Sequence, residues 1–198
     1  MARGGAKAEE TATAERRKAQ VLEAAAKCFR QKGFHGSSMA QISEAAGMSS
    51  GHIYHYFKNK DEIIGAIVDR EKDEVEFLLD GMKNAANPED AMRVFIDTVE
   101  QGVAMHQDTT HASLKMEILA EAGRNPDIAS RVQRNNAELK NSHLKLFSDS
   151  DASTASRLEL AAALMEGVSI RTLRNPNLDK ELDVERLKDI IRYIFSAP

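Results

Sequence analysis

The stretch from Gly33 to Lys60, GFHGSSMAQISEAAGMSSGHIYHYFKNK, constrains the fold more than any other part of the chain. It is a run of start and stop signals for short helices. Ser38, followed three residues later by Gln41, has the spacing of a capping box, which satisfies free N–H groups at a helix start. Ile42, Ala45 and Ala46 then form a short apolar stripe. Gly47 supplies the left-handed conformation that ends a helix without a Cβ clash. Ser49 caps a second short helix, which carries Ile53 and Phe57 on one face. Two short helices joined by a tight glycine turn make a helix-turn-helix. The second leaves Ser50, His52, Tyr54, His55 and Tyr56 off the packed face. These are hydrogen-bonding and aromatic groups with little negative charge, suited to a DNA groove.

The rest of the chain carries the same punctuation. Upstream, Val21, Leu22, Ala25, Ala26 and Phe29 predict a helix from about Glu15 to Lys32. Residues 1–14 are small and polar without periodicity, and read as a disordered basic arm. Its Arg3 and Lys7 can reach a minor groove or simply stay in solvent. Asn59 with Glu62 starts a fourth helix, and Ile64, Ile67, Val68, Val75, Leu78, Leu79 and Met82 form its stripe. Lys58 and Lys60 stand at that start, where backbone N–H groups favour an anion. A bound phosphate accounts for two lysines there. Asn87-Pro88-Glu89-Asp90 and Asn125-Pro126-Asp127 are further helix starts. A polar break at 107–110, Gly123, a polar loop at 148–153 and Asn175-Pro176-Asn177 separate the remaining helices, the last from about Asp183 to Phe195. No strand pattern appears. The expected fold is all-α with about nine helices: a three-helix helix-turn-helix domain over 15–60, then a larger helical body over 61–198.

Charge follows the same division. The 198-residue chain has a net charge of −4, yet residues 1–60 carry +5 and residues 61–198 carry −9. A basic head on an acidic body is the electrostatic footprint of a polyanion binder with one binding face. The absence of a 20-residue apolar run and of a hydrophobic leader argues against a membrane or exported protein. A lone cysteine, Cys28, allows no internal disulfide and suits the cytoplasm. Its apolar neighbours mark it as a buried thiol.

The run Gly47–Glu62, GMSSGHIYHYFKNKDE, resembles the DNA-binding signature of the tetracycline-repressor (TetR) family, with turn, aromatics and trailing Asn-Lys-Asp-Glu in register. Beyond it the likeness is one of helix layout. The resemblance implies that Ser50, Gly51, His52 and His55 face base edges, and that Ser38, Tyr54, Tyr56 and Lys60 hold phosphates, beside the capping Ser49 and Lys58. Hydroxyls can donate to phosphate oxygens without restricting sequence. Met48 stands where the family usually has Val, and Ser38 where Thr is common. With no Arg, Asn or Gln in the recognition helix for a bidentate base contact, DNA shape contributes to the choice of site.

The resemblance also implies a homodimer joined by a four-helix bundle of the last two helices. The small residues between Ala155 and Ser169 fit such close helix packing. Leu158, Ala162, Met165, Ser169, Leu187, Ile190, Ile191 and Ile194 are the expected contacts. Paired recognition helices then require a palindromic operator in double-stranded DNA. The family's body encloses an effector cavity. Phe95, Val99, Met105, Met116, Leu119, Phe147 and Met165 are the expected lining, with His143, His106, Glu117 and Asn136 as polar candidates. The stretch 114–129 looks like a junction found in choline-responsive and multidrug-type branches. The expected function is a repressor released by an unknown small molecule. An activator, or a regulator governed by a protein partner, is the alternative.

An enzyme fits poorly. The chain lacks HExxH, P-loop, GxSxG and paired-cysteine motifs. His52 and His55 have metal-pair spacing but no third ligand, so neither metal nor cofactor is expected.

Overall fold

The computed structural model describes residues 3–145, 147 and 152–196, with the backbone alone at 3–8, 10 and 88. Those residues form ten α-helices and one 3-10 turn, with no strand among them. The chain divides into two compact units, Met1–Asp69 with Glu117–Arg131, and Arg70–Met116 with Val132–Pro198. The helical character and the N-terminal helix-turn-helix agree with the sequence. The ten helices agree with the roughly nine expected; the units divide at Asp69 where the sequence reading divided at 60, and α1 starts at Arg3 within the segment read as an arm.

The N-terminal unit holds α1 (Arg3–Gly36), α2 (Met39–Ala46), α3 (Ser50–Tyr56) and the first half of α4 (Lys60–Leu78). It also takes in the junction between α6 (Thr109–Ala122) and α7 (Pro126–Leu144). Gly33, at φ 74° and ψ 164°, kinks α1 near its end. The helix begins at Arg3, so most of the segment read as a disordered arm is helical. Ala and Glu dominate that segment and are strong helix formers, although they form no apolar stripe. The Arg3 and Lys7 side chains, Leu146 and residues 148–151 lie outside the described residues. Val21, Ala25, Phe29, Ile42, Ile53, Ile63, Ile64 and Ile67 are buried. Each of these side chains other than Ala25 contributes roughly 1.5–3 kcal/mol on burial.

Residues 117–131 join this unit through specific polar contacts. The Phe34 backbone N–H donates to Glu117 Oε1. His35 Nε2 lies 3.0 Å from the buried Glu121 carboxylate. Asn125 Nδ2 donates to Asp61 Oδ1 at 3.0 Å. Arg131 crosses α4 at Gly65, where an added Cβ would stand 1.9 Å from Nη1, and pairs with Asp69 at 3.3 Å. These contacts place the boundary at Asp69 instead of 60.

The C-terminal unit contains the rest of α4, the 3-10 turn Asp80–Asn84, α5 (Pro88–Gln107), the remainder of α6 and α7, α8 (Ala152–Arg174), α9 (Leu178–Glu181) and α10 (Val184–Ser196). The helix starts read from sequence are present. The Asn87 side chain accepts from Asp90 N at 2.9 Å, and that of Asn125 from Asp127 N at 3.2 Å. The tenth helix is α9, one turn formed just after Asn175-Pro176-Asn177. It forms because Leu178 drops into the core with Ile96, Val99, Val103, Val168, Leu187 and Ile191.

Candidate nucleic-acid interface

Local capping builds the helix-turn-helix. Gln41 N donates to Ser38 Oγ at 3.2 Å while Ser38 N donates to Gln41 Oε1 at 2.9 Å, which closes the capping box. Gly47 ends α2 at φ 62° and ψ 33°, with its N–H on Glu44 O and that of Met48 on Ser43 O. Ser49 Oγ accepts from His52 N and starts α3. Gln20 on α1 donates to Ala46 O at 2.7 Å and fixes the end of α2.

Only Ile53 and Phe57 of the α3 segment are buried. Ser49, Ser50, Gly51, His52 and His55 are exposed, and Tyr56 is half-buried. Tyr54 keeps 52% of its surface exposed. The Tyr56 ring lies 5.5 Å from that of His52 and 5.1 Å from that of His55, giving one patch of three polar rings. Ser38 and Ser49 spend an acceptor lone pair on caps, which leaves both hydroxyl protons free to donate outward.

Gly51 carries information of another kind. A Cβ added there would meet nothing within 4 Å, and its φ is not positive. Glycine inside a helix costs roughly 1 kcal/mol relative to alanine. No neighbour in the chain demands that cost, whereas a groove wall pressed against α3 would.

Lys60 has a different role from the one expected. Its Nζ donates to Phe34 O at 2.7 Å and to Ser37 O at 2.6 Å, and lies 4.6 Å from the centre of the Phe34 ring. The ammonium satisfies carbonyls left over at the end of α1, so one of its three protons remains for a phosphate. Lys58, by contrast, is exposed. Its N–H donates to Glu62 Oε2 at 2.7 Å, and Glu62 N donates to Asn59 Oδ1 at 2.8 Å.

The C-terminal unit reassigns several expected contacts. Ser169, Leu187 and Ile191 are buried within the chain and cannot form an outer face. Ile190, one of the expected contacts, is exposed, as are Phe77, Leu160, Ile170, Leu173 and Tyr193. Leu158, Met165 and Ile194 are half-buried, and Ala162 is exposed. Leu160, Ala163, Gly167 and Ile170 follow helical spacing along one side of α8, and a Cβ on Gly167 would meet nothing within 4 Å. The apolar stripe of α10 is wide, and its sequence does not mark that Leu187 and Ile191 turn inward while Ile190 at the edge stays exposed.

Of the expected effector lining, Val99 is core, with Phe95 and Met165 packed on it. Phe195 stands between Phe95 and Phe147, with ring centres 5.6 and 5.4 Å away. Met105, Met116 and His143 are half-buried, and burial pulls His143 below the usual imidazole range. Leu119 is 45% exposed and belongs to the N-terminal unit, so it lines no cavity within the body. Glu117 serves α1 instead of a ligand. Sequence reasoning missed Glu71, His111 and Lys115 and gave Ser169 to the dimer face; Ser169 bonds His106, the His106 ring meets that of His111, and the Lys115 charge acts on both His106 and Glu71 inside the C-terminal unit. No signal in the helical periodicity separates such residues from solvent-facing ones.

The geometry defines an all-α protein that presents a helix-turn-helix in its N-terminal unit, within the first sixty residues, which carry the chain's excess of positive charge. Residues 21–67 match the model of bacterial regulatory proteins of the tetR family, so the chain carries that family's N-terminal domain. The HTH-type transcriptional regulator UidR of Escherichia coli (strain K12) is 30% identical over 128 residues, 64% of this chain and 59% of UidR. The chain thus spans about three fifths of the length of that relative. In fold, it matches Salmonella enterica GusR with a TM-score of 0.69 at 23% identity, covering 90% of this chain and 94% of that one. FadR from Bacillus subtilis, solved in complex with stearoyl-CoA, gives a TM-score of 0.59 at 19% identity, covering 90% and 98%. Among the described residues no helix is long and apolar enough to cross a membrane.

Proposed function

We propose that this chain is a transcriptional regulator that binds a palindromic operator as a homodimer, acts as a repressor, and releases DNA when a small molecule occupies its C-terminal unit. The observation that carries this reading is the outward face of α3. A capped helix presents Ser50, His52 and His55 around a glycine that nothing within the chain requires. Ser38, Tyr54, Tyr56 and Lys58 are the phosphate contacts in this reading, and Lys60 both braces α1 and offers its remaining proton. The exposed apolar sides of α8 and α10 support pairing of two copies. The likeness to regulators, one of them solved with stearoyl-CoA, supports a ligand-bearing body. The role places the protein in the cytoplasm with the DNA. Effector action is then a population shift, limited by the difference in effector affinity between the DNA-competent and released shapes.

The test is the salt dependence of duplex binding, measured by fluorescence anisotropy. Wild type should bind less tightly as salt rises, with a slope set by the phosphates neutralised. Tyr54→Ala should weaken binding to all duplexes alike, whereas His52→Ala should change which duplex is preferred. A Tyr54→Ala protein that binds like wild type would show that α3 is not the reading helix.

A further inference from the structure

We infer that the C-terminal unit holds an anchoring site for a protonated amine, with the Glu71 carboxylate on α4 as its counter-ion and with His106 and Ser169 on the other side of Lys115, whose charge acts on both Glu71 and His106. This deepens the proposed function by naming the class of effector.

Four observations carry it. First, Glu71 Oε1 is buried and accepts no hydrogen bond among the described residues. Second, the cations around it are committed to other carboxylates. Lys115 Nζ lies 3.1 Å from Glu166, and Arg70 Nε lies 3.6 Å from Glu74. Third, two imidazoles lie in the same group. His106 Nδ1 is 2.7 Å from the fully buried Ser169 Oγ, and the His106 and His111 rings meet edge to face at 6.0 Å. Fourth, one turn along α8 from Ser169, Thr172 is buried and its Oγ1 also lacks a hydrogen-bond partner among the described residues.

The charges set the ligand class. Burial pushes the Glu71 carboxyl up to about 7; Lys115 and Arg70 partly offset this, and Glu74 and Glu166 add to it. Burial, with Lys115 and then His111 adding, brings His106 down to about 3, so its ring stays neutral. His111 is lowered by burial and Lys115, against smaller opposite effects of Glu74 and Asp108. What the group lacks is one mobile cation with N–H donors. A buried carboxylate is costly unless paired and hydrogen-bonded. An ammonium supplies both the charge and the donors, and neutral imidazoles accept from it without repelling it. An anion would meet Glu71, Glu74 and Glu166, and an alcohol would bring a donor without the charge.

Binding is read on the full chain by thermal denaturation without DNA, at pH 6 and pH 8, with hexylamine, benzylamine and cadaverine as probes, against hexanol and hexanoate. A ligand that binds only the folded state raises Tm in proportion to its occupancy. At least one amine should raise Tm, more at pH 8 than at pH 6, because the cation binds the ionised Glu71 and expels its proton. Hexanol and hexanoate should not raise it. The isosteric Glu71→Gln should fold and lose the amine shift at both pH values. An equal shift in Glu71→Gln, an equal shift from hexanol, or no shift from any amine would overturn the inference. As no DNA is present, these outcomes stand apart from operator binding. A chain that binds amines yet no duplex would refute the proposed function alone.

Discussion

The two units place their polar chemistry on opposite sides. In the N-terminal unit the interior is largely apolar, built from Phe29, Ile42, Ile53, Ile63, Ile64 and Ile67, its buried carboxylate, Glu121, lies against His35, and the hydrogen-bonding groups of α3 face out. In the C-terminal unit, large apolar side chains from Leu160 to Tyr193 are on the surface, while Glu71, His106, Ser169 and Thr172 have their polar atoms inside. A polar outer face with net positive charge suits a polyanion. An apolar outer face suits another apolar surface, and an incompletely satisfied polar interior suits a guest. Under the proposed function the difference assigns reading, pairing and sensing to three separate places.

The sharpest way to break this comparison is to damage the apolar interior of the first unit. Ile53→Ala removes the inward anchor of α3 and should cost about 2–5 kcal/mol, seen as a lower midpoint in denaturant unfolding. A cost near zero would mean that Ile53 is not core. Next comes the pairing surface. Ile170→Asp with Tyr193→Asp should convert a dimer to a monomer in sedimentation velocity, with helical content retained by circular dichroism. A chain that is already a monomer as wild type would remove that surface from the account.

The third prediction concerns the polar interior. The folded Glu71 carboxyl is raised from the ordinary 4.5 to about 7. The stability difference is absent below about pH 4.5, develops as pH rises towards 7, and is complete above it, with the wild type losing stability as Glu71 ionises. Glu71→Gln should therefore be more stable than wild type at pH 8, by about 2–3 kcal/mol, and the gap should shrink towards pH 5. A gap that does not change with pH would place Glu71 in solvent. The smallest effect is the most specific. Gly51→Ala should stabilise the chain by roughly 0.5–1 kcal/mol through helix propensity, and at the same time weaken duplex binding through the added methyl.

Legibility in the sequence followed the same division. The helix-turn-helix was readable because caps and turns are local. Ser38 with Gln41, Gly47 and Ser49 each act within four residues. The starts at Asn87 and Asn125 were readable for the same reason. What depended on distant partners was not. Nothing local says that Glu121 reaches His35 or that Arg131 lies over Gly65, so the unit boundary was set too early. That Lys60 also braces the end of α1 was not visible because its carbonyl partners lie 23 and 26 residues away. Ser169, Leu187 and Ile191 were placed on the outer face because nothing local separates the inward part of the apolar stripes of α8 and α10 from the outward edge. Glu71 was missed because a charged residue in a helix reads as solvent-facing.

Selection from a pool of random DNA duplexes with the purified full-length chain, at moderate salt, tests the central claim most directly. The account predicts enrichment of a two-fold symmetric sequence whose half-sites lie about one helical turn apart or a multiple of it, with His52→Ala shifting the enriched bases within each half. A pool that emerges without any preferred sequence, or with a lone asymmetric site bound by one copy, would contradict it.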